Sequence, residues 1–411
     1  MKLILKNAAA IATCSASGRR CKRGDEMRDV GVINDADLLI EDGIIKSVGK
    51  TGDMQGAESF DVTGKTIVPG FVDAHTHLIF AGTREREFAM HAGGMTYSEI
   101  ALKGGGILST VSKTRESSKA HLRSQAARRI DKMLKHGTTT LEIKSGYGLD
   151  FRNEIKLLEA ANELREESIS EIVVTLLGAH AIPPEFINDR DGYLELLIRE
   201  LIPNAGRKKL AKFCDVFCDE GFFSPDEARR ILTAGVESGM LPKMHADELS
   251  ASGGVNLAIE LEAVSVDHLE HISHDEIGTL AESETVGVIL PAVAAYLRGT
   301  PAPAREMIDS GCAVALATDL NPGTSMVDNM QTAMFFAISM NRLTVEEALN
   351  AATINAAAAL GISDRLGSIE IGKQADLLIV DGEDYSILPY HFTENQITNV
   401  VKNGTLLEFP R

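Results

Sequence analysis

The chain has 411 residues, more than one hydrophobic core usually organises, so a large domain with a smaller companion is expected. Hydrophobic content of 44% and charged content of 24% are ordinary for a globular enzyme. A net charge of −18 speaks against nucleic acid and anionic membrane as partners, and an anionic substrate would need a local arginine or lysine.

The apolar start Leu3-Ile4-Leu5 is broken by Lys6 before a secretory core could form. No apolar run approaches the ~18 residues of a membrane span. Five scattered cysteines, Cys14, Cys21, Cys214, Cys218 and Cys312, are then expected as reduced thiols in a cytoplasmic protein. Four extended residues cover ~13 Å, so Cys214 and Cys218 on one strand cannot share an ion and are read as core.

In chain order, residues 1–66 carry short strand-like runs at Lys2 to Ile11, Asp37 to Val48 and Phe60 to Val68. Asp42-Gly43 between two apolar runs signals a tight hairpin. From 67 the pattern alternates. Strand candidates are Ile67 to Asp73, Thr138 to Ile143, Ile172 to Leu177 and Lys212 to Phe217, then Leu241 to Met244, Ala263 to Val266, Val286 to Leu290 and Val314 to Ala317. Helical runs such as His121 to His136, Arg152 to Glu167, Asp226 to Ser238 and Val255 to Glu262 lie between them. This succession predicts a (β/α)8 barrel over 67–367, closing with helix-rich Leu343 to Leu360. A doubly wound sheet is disfavoured, because no Gly-x-Gly-x-x-Gly opens the first helix. Residues 368–411 return to strands at Ser368 to Ile371, Ala375 to Val380 and Thr398 to Leu407, with turns at Gly372-Lys373 and Asn403-Gly404. The two β-rich ends are expected to build one small β-sandwich.

Polar residues cluster just past the strands. His75 and His77 follow the first, and side chains at i and i+2 on a strand share a side, so both imidazoles can reach one ion. His245 ends the fifth strand, with Glu248 three residues on; His268 ends the sixth; Asp319 follows the eighth. Any of these alone fits a hydrogen-bonded strand end. A barrel, however, brings all these ends to one face, where three histidines and an aspartate suit Zn²⁺ or Fe²⁺ with a position left for water. Glu248 is then a candidate proton carrier and His268 a second base or electrophile. His271 and His274 are read as surface residues.

The early His-x-His, the later histidine followed by a glutamate, the next strand-end histidine and the late aspartate resemble the amidohydrolase superfamily. Phe71 to Arg84, Gly104 to Thr110, Glu142 to Leu149, Ala179 to Pro184 and Asp319 to Thr324 resemble its imidazolonepropionase family in particular. Such a resemblance implies cleavage of the ring amide of 4-imidazolone-5-propanoate to N-formimino-L-glutamate in histidine degradation, with one metal ion per chain. It implies His75, His77, His245 and Asp319 as ligands, Glu248 as acid–base group, and His268 as helper of the water or the oxyanion. Arg84 would hold the propanoate, while Tyr147, His180, Asn321, Gly323 and Thr324 would contact the substrate. Leu290 to Ala294 departs from the family pattern, where glycine often follows the proline, and puts the pocket's shape after the seventh strand in doubt. Lys144 does not stand where some superfamily members carry a metal-bridging modified lysine, so one ion is expected. Gly104 to Gly106 reads as a flexible loop or a lid hinge, since the Lys-Ser/Thr of a phosphate loop does not follow it.

Two rival readings stay open. A deaminase of the same superfamily would share metal, glutamate and histidine, and Arg84, Tyr147 and the Asn-Pro-Gly-Thr loop argue against it by implying an acidic substrate. A non-catalytic assembly protein of this fold should lack ligands, and none is missing here. A homodimer is expected, as is common for such enzymes.

Overall fold

The computed structural model describes residues 2–50, 56–96, 99–100 and 103–409. Eight parallel strands succeed one another around a barrel: β1 (Phe71–Asp73), β2 (Thr138–Lys144), β3 (Glu171–Ala179), β4 (Phe213–Cys218), β5 (Leu241–Ala246), β6 (Ser265–His268), β7 (Val286–Ile289) and β8 (Val314–Leu316). Each pairs with the next in sequence order. The ring is joined just beyond β1 and β8, where Asp319 N–H donates to His75 O (3.0 Å) and His77 N–H to Leu320 O (2.9 Å). The Asp73 carboxylate pins the same seam by accepting Thr318 N–H (3.0 Å) and Thr318 Oγ1–H (2.6 Å).

Strand alternation decides what faces where. Leu141, Ile143, Val174, Val216, Met244, Val266 and Leu316 belong to one apolar cluster with the outer helices. Val72, Val173, Phe213, Val286 and Ala313 belong to another, with the alanine-rich helix Ile354–Ala359. Between the inner apolar residues and the histidines at the strand ends, the inward positions are polar and buried: Glu142, Lys144, Thr175, Asp215, Lys243 and Asp267. Outside, helices bury one stripe each. Lys119–Lys135 buries Leu122, Ala126, Ile130 and Met133, and is capped by Ser118. Pro225–Glu237 starts with a Ser224–Glu227 capping box and proline in its first turn.

The terminal segments form a separate sheet of eight strands with a core of its own, including Leu5, Ile11, Leu38, Ile67, Leu377 and Val401. Its central strand Lys2–Ala12 pairs with Val32–Glu41, Glu58–Asp61 and Thr66–Pro69. The hairpin turn at Asp42-Gly43 has φ of +50° and +80°, as the two-residue primed turn requires. The turn at Asn403-Gly404 repeats it, with φ of +50° and +75°.

Three expected strands differ. Ile67 to Asp73 is two strands: Thr66–Pro69 pairs with Leu377–Val380 in the terminal sheet, and Phe71–Asp73 opens the barrel. Gly70 makes the crossing, because a Cβ there would lie 2.3 Å from Thr139 Oγ1. Phe60 to Val68 is likewise broken, by a turn between Glu58–Asp61 and Thr66–Pro69. Ser368 to Ile371 is not a strand; its chain is held by single bonds such as Ile369 N–H to Thr13 O (2.7 Å). All five cysteines are buried and unpaired, Cys214 and Cys218 in the core as expected. Among the described residues no helix is long and apolar enough to cross a membrane.

Candidate active site and metal centre

His75 and His77 leave β1 in extended chain and their Nε2 atoms lie 3.2 Å apart. His245, inside β5, places its Nε2 3.5 Å from that of His77. Asp319, past β8 with φ +48°, turns Oδ1 to within 3.5 Å of His75 Nε2 and 3.4 Å of His77 Nε2. Four donors ~2.1 Å from one cation would stand ~3.4 Å from each other in a tetrahedron. His75, His77 and Asp319 therefore fit a divalent ion, with His245 beside His77, and Asp319 Oδ1 has no hydrogen-bond donor among the described residues.

Carboxylates behind the imidazoles set their orientation. His75 Nδ1–H donates to Asp267 Oδ2 (2.7 Å) and His245 Nδ1–H to Asp215 (3.0 Å to Oδ2), which leaves each Nε2 lone pair facing the site. Burial holds both His75 and His77 well below the usual imidazole value, so they are neutral, as ligands must be. Burial likewise pushes Asp319 up to about 8, against the pull of His268.

Beneath them Lys144 Nζ meets Asp215 Oδ2 (2.6 Å), Glu142 Oε2 (3.1 Å) and Asp267 Oδ2 (3.4 Å). Burial lowers its pKa, but these three charges outweigh that and raise it, so Lys144 is an ammonium. Lys243 Nζ bonds both oxygens of Glu142 (3.0 Å each) and Ala74 O (3.1 Å).

Glu248 and His268 face each other across the pocket, Oε2 to Nε2 at 3.6 Å. Desolvation pushes Glu248 up to about 7, against the charge of His268. For His268 burial works against the charged form, yet Glu248 and Glu270 prevail and carry it to about 10. His268 also brings a ring nitrogen within 4.8 Å of those of His75 and His245, so proximity alone does not remove it from the ligand candidates. His271 and His274 are exposed.

The pocket over these groups encloses about 540 Å³ including its mouth, and is also lined by Arg84, Tyr147, His180, Asn321 and Thr324. Arg84 precedes the helix Glu85–Ala92 and is buried, not spread over a surface loop, with its side chain 7% exposed. Glu87 Oε2 takes its Nε–H (2.8 Å) and also Gly106 N–H (3.0 Å). Gly323 leaves room for the guanidinium: a Cβ there would lie 2.2 Å from Arg84 Nη1. The His180 ring stacks on His77 at 5.0 Å and donates Nδ1–H to Gly146 O (3.1 Å). Burial holds His180 down to about 3. Tyr147 rides on a loop fastened by the buried Glu154 carboxylate, which accepts N–H from Gly146, Gly148 and Leu149. Asn321 donates to Asp319 Oδ2 (3.0 Å) and accepts from Gly323 N (2.7 Å) and Thr324 N (2.8 Å), so it braces the ligand and its own turn.

Sequence reasoning left Asp215, Asp267, Glu142 and Lys243 without a role, and did not single out Ile107, Phe217 and Phe222, which line the pocket. The legible signal was charge at alternate positions of otherwise apolar strands, as in Thr-Leu-Glu-Ile-Lys at Thr140 to Lys144. Leu290 to Ala294, the departure from the family pattern, runs into the short helix Pro291–Leu297 and is not among the lining residues.

Residues 66–407 match the sequence profile of the Amidohydrolase family. The chain belongs to that family. The imidazolonepropionase of Geobacillus thermodenitrificans is 44% identical to it over 98% of this chain and 97% of the relative. Those of Bacteroides fragilis and Clostridium tetani are 44% and 41% identical, over 98% of both chains in each case. Within the amidohydrolases this chain stands in the imidazolonepropionase family. Among solved structures, a triazine hydrolase variant superposes at TM-score 0.74 with 18% identity, over 99% of this chain and 94% of that one. The atrazine chlorohydrolase of Arthrobacter aurescens, solved with zinc and atraton, does so at TM-score 0.74 with 17% identity, over 99% and 95%. That likeness is one of fold.

Proposed function

We propose that this hydrolase opens the ring amide of 4-imidazolone-5-propanoate to N-formimino-L-glutamate, using one divalent transition-metal ion, Zn²⁺ or Fe²⁺, per chain. The observation that carries this reading is the convergence of three imidazole nitrogens and one carboxylate oxygen in a pocket that also holds a buried arginine. His75, His77, His245 and Asp319 would hold the ion. His268 is left out of the set because its nitrogens face Glu248 and Glu270. A single ion is favoured because the other acidic group beside His75, Glu142 with Asp267, already holds Lys144 and Lys243. When bound, the ion supplies Lewis acidity, polarising the ring carbonyl and lowering the pKa of water toward ~7.

Proton movement belongs to the side chains. An amide anion is a poor leaving group, so the ring nitrogen must gain a proton as its bond to carbon breaks. Glu248, raised to about 7, can take that proton from the attacking water and pass it to the nitrogen. His268, cationic between two carboxylates, can donate a hydrogen bond to the oxygen on which negative charge grows. Arg84 pairs with the propanoate, a site the acidic surface makes necessary. Tyr147, His180 and Thr324 close around the ring, with Asn321 and Gly323 keeping Asp319 and Arg84 in place.

The reading includes a cytoplasmic homodimer: five unpaired thiols suit a reducing compartment, and two-fold pairs are the commonest assembly. Light scattering on purified protein checks the pair. The reaction itself is tested by adding 4-imidazolone-5-propanoate and following loss of ring absorbance, with formiminoglutamate as product. Release of ammonia with the ring intact would place the chain with the deaminases instead.

A further inference from the structure

Two ligand histidines are oriented by two aspartates, and one lysine touches both. Lys144 Nζ stands 2.6 Å from Asp215, behind His245, and 3.4 Å from Asp267, behind His75. Its backbone serves the same place: Lys144 N–H donates to Thr76 O (2.9 Å), the residue between His75 and His77. The Thr76 hydroxyl in turn donates to Glu142 O (2.6 Å). We propose that Lys144 is the positioning residue of the metal centre, holding Asp215 and Asp267 at a fixed separation so that the Nε2 atoms of His245 and His75 converge on one point. This rests on His75, His77, His245 and Asp319 being the ligands.

Charge and burial support the role. Lys144, Lys243, Glu142, Asp215 and Asp267 have no exposed side-chain surface, so none of them serves solubility. Two ammoniums against three carboxylates leave this layer one negative charge. Without Lys144, Asp215 would keep only the His245 N–H and Val216 N–H, and Asp267 the His75 N–H, the Ser265 hydroxyl and the more distant Lys243, with no group holding the two aspartates to each other. Either carboxylate could then turn away, and its histidine would lose its orientation. Lys243 is the internal comparison. It is as buried and as close to Glu142, but it reaches only Asp267, at 3.8 Å, and does not touch Asp215 among the contacts of the described residues.

The test measures metal affinity of the full chain by chelator competition with Zn²⁺, and the visible spectrum of the Co²⁺-loaded protein. Lys144→Gln is expected to weaken Zn²⁺ binding by ~10–100-fold, the usual loss for a partner behind a ligand, and to shift the cobalt bands. Lys243→Gln is expected to stay within threefold of the parent with unchanged bands. Lys144→Met is read in the same way should the glutamine variant not fold. Equal losses for both lysines, parental affinity in the Lys144 variants, or failure of both Lys144 variants to fold while Lys243→Gln folds would each overturn the proposal. His77→Ala separates the two layers: if it binds Zn²⁺ as tightly as the parent, the ligand set itself is wrong.

Discussion

At the scale of single residues, Glu248 and Arg84 divide chemistry from binding. Glu248 is not among the converging ligand atoms, and its oxygen faces His268 at 3.6 Å. Glu248→Gln preserves size and hydrogen bonding but cannot carry the proton. It should keep its metal and near-parental KM while kcat falls ~10²–10⁴-fold. Steady-state kinetics with metal analysis on the same sample decide this, and a kcat within a few-fold of the parent would move the role to His268. Arg84 is the residue proposed to hold the opposite end of the substrate. Its loss in Arg84→Ala should appear chiefly in KM, worth about 1.5–3 kcal/mol for a charged hydrogen bond. An unchanged KM would leave Arg84 a structural residue, tied to Glu87.

At the scale of elements, the loop after β5 matters most, because it carries Glu248 past a left-handed residue, Asp247 at φ +56°. The loop is fastened from β4. Asp219, just beyond that strand, accepts N–H from Glu248 (2.9 Å) and Leu249 (2.8 Å) on one oxygen and the Ser250 hydroxyl (2.6 Å) on the other. Asp219 is not among the proposed metal ligands; it sets where Glu248 stands, and its charge adds to the burial that raises the Glu248 carboxyl. Asp219→Ala should cost kcat ~10-fold or more, since two backbone donors lose a charged acceptor, each worth ~1–3 kcal/mol. Zn²⁺ content should hold, and Asp219→Asn, which keeps an acceptor oxygen, should recover part of the rate. A kcat within twofold of the parent in Asp219→Ala would show that the loop holds itself.

At the scale of the molecule, the proposed ligands also lie across the barrel's seam. The ring is joined through His75–Asp319 and His77–Leu320 backbone bonds, and an ion on His75, His77, His245 and Asp319 would tie β1, β5 and β8 together. A ligand that binds only the folded state stabilises it by mass action, about 4 kcal/mol when free metal is ~1,000 times Kd. Chelation should therefore lower the midpoint of thermal unfolding, and added Zn²⁺ should restore it in a concentration-dependent way. Calorimetry showing one midpoint with and without metal would separate the site from the stability of the fold.

Much of this protein was legible in its sequence because the deciding features are local. Period-two alternation puts His75 and His77 on one side whatever surrounds them, and Asp-Gly and Asn-Gly impose their turns through positive φ. Strand–helix succession implies a barrel, and a barrel gathers strand ends. The motif segments from Phe71 to Thr324 then pointed to the family. What the tertiary structure alone decided are pairings between distant residues: His75 with Asp267, 192 positions on, and Lys144 with Asp215, 71 positions on. No periodicity announces such pairs, because a buried charge is tolerated only where its partner arrives within a few ångströms, and that distance is set by the closed ring. The break at Gly70 has the same origin. The run from Ile67 to Val72 carries no polar side chain to mark a boundary, and the contact with Thr139 decides where the chain leaves one sheet for the other.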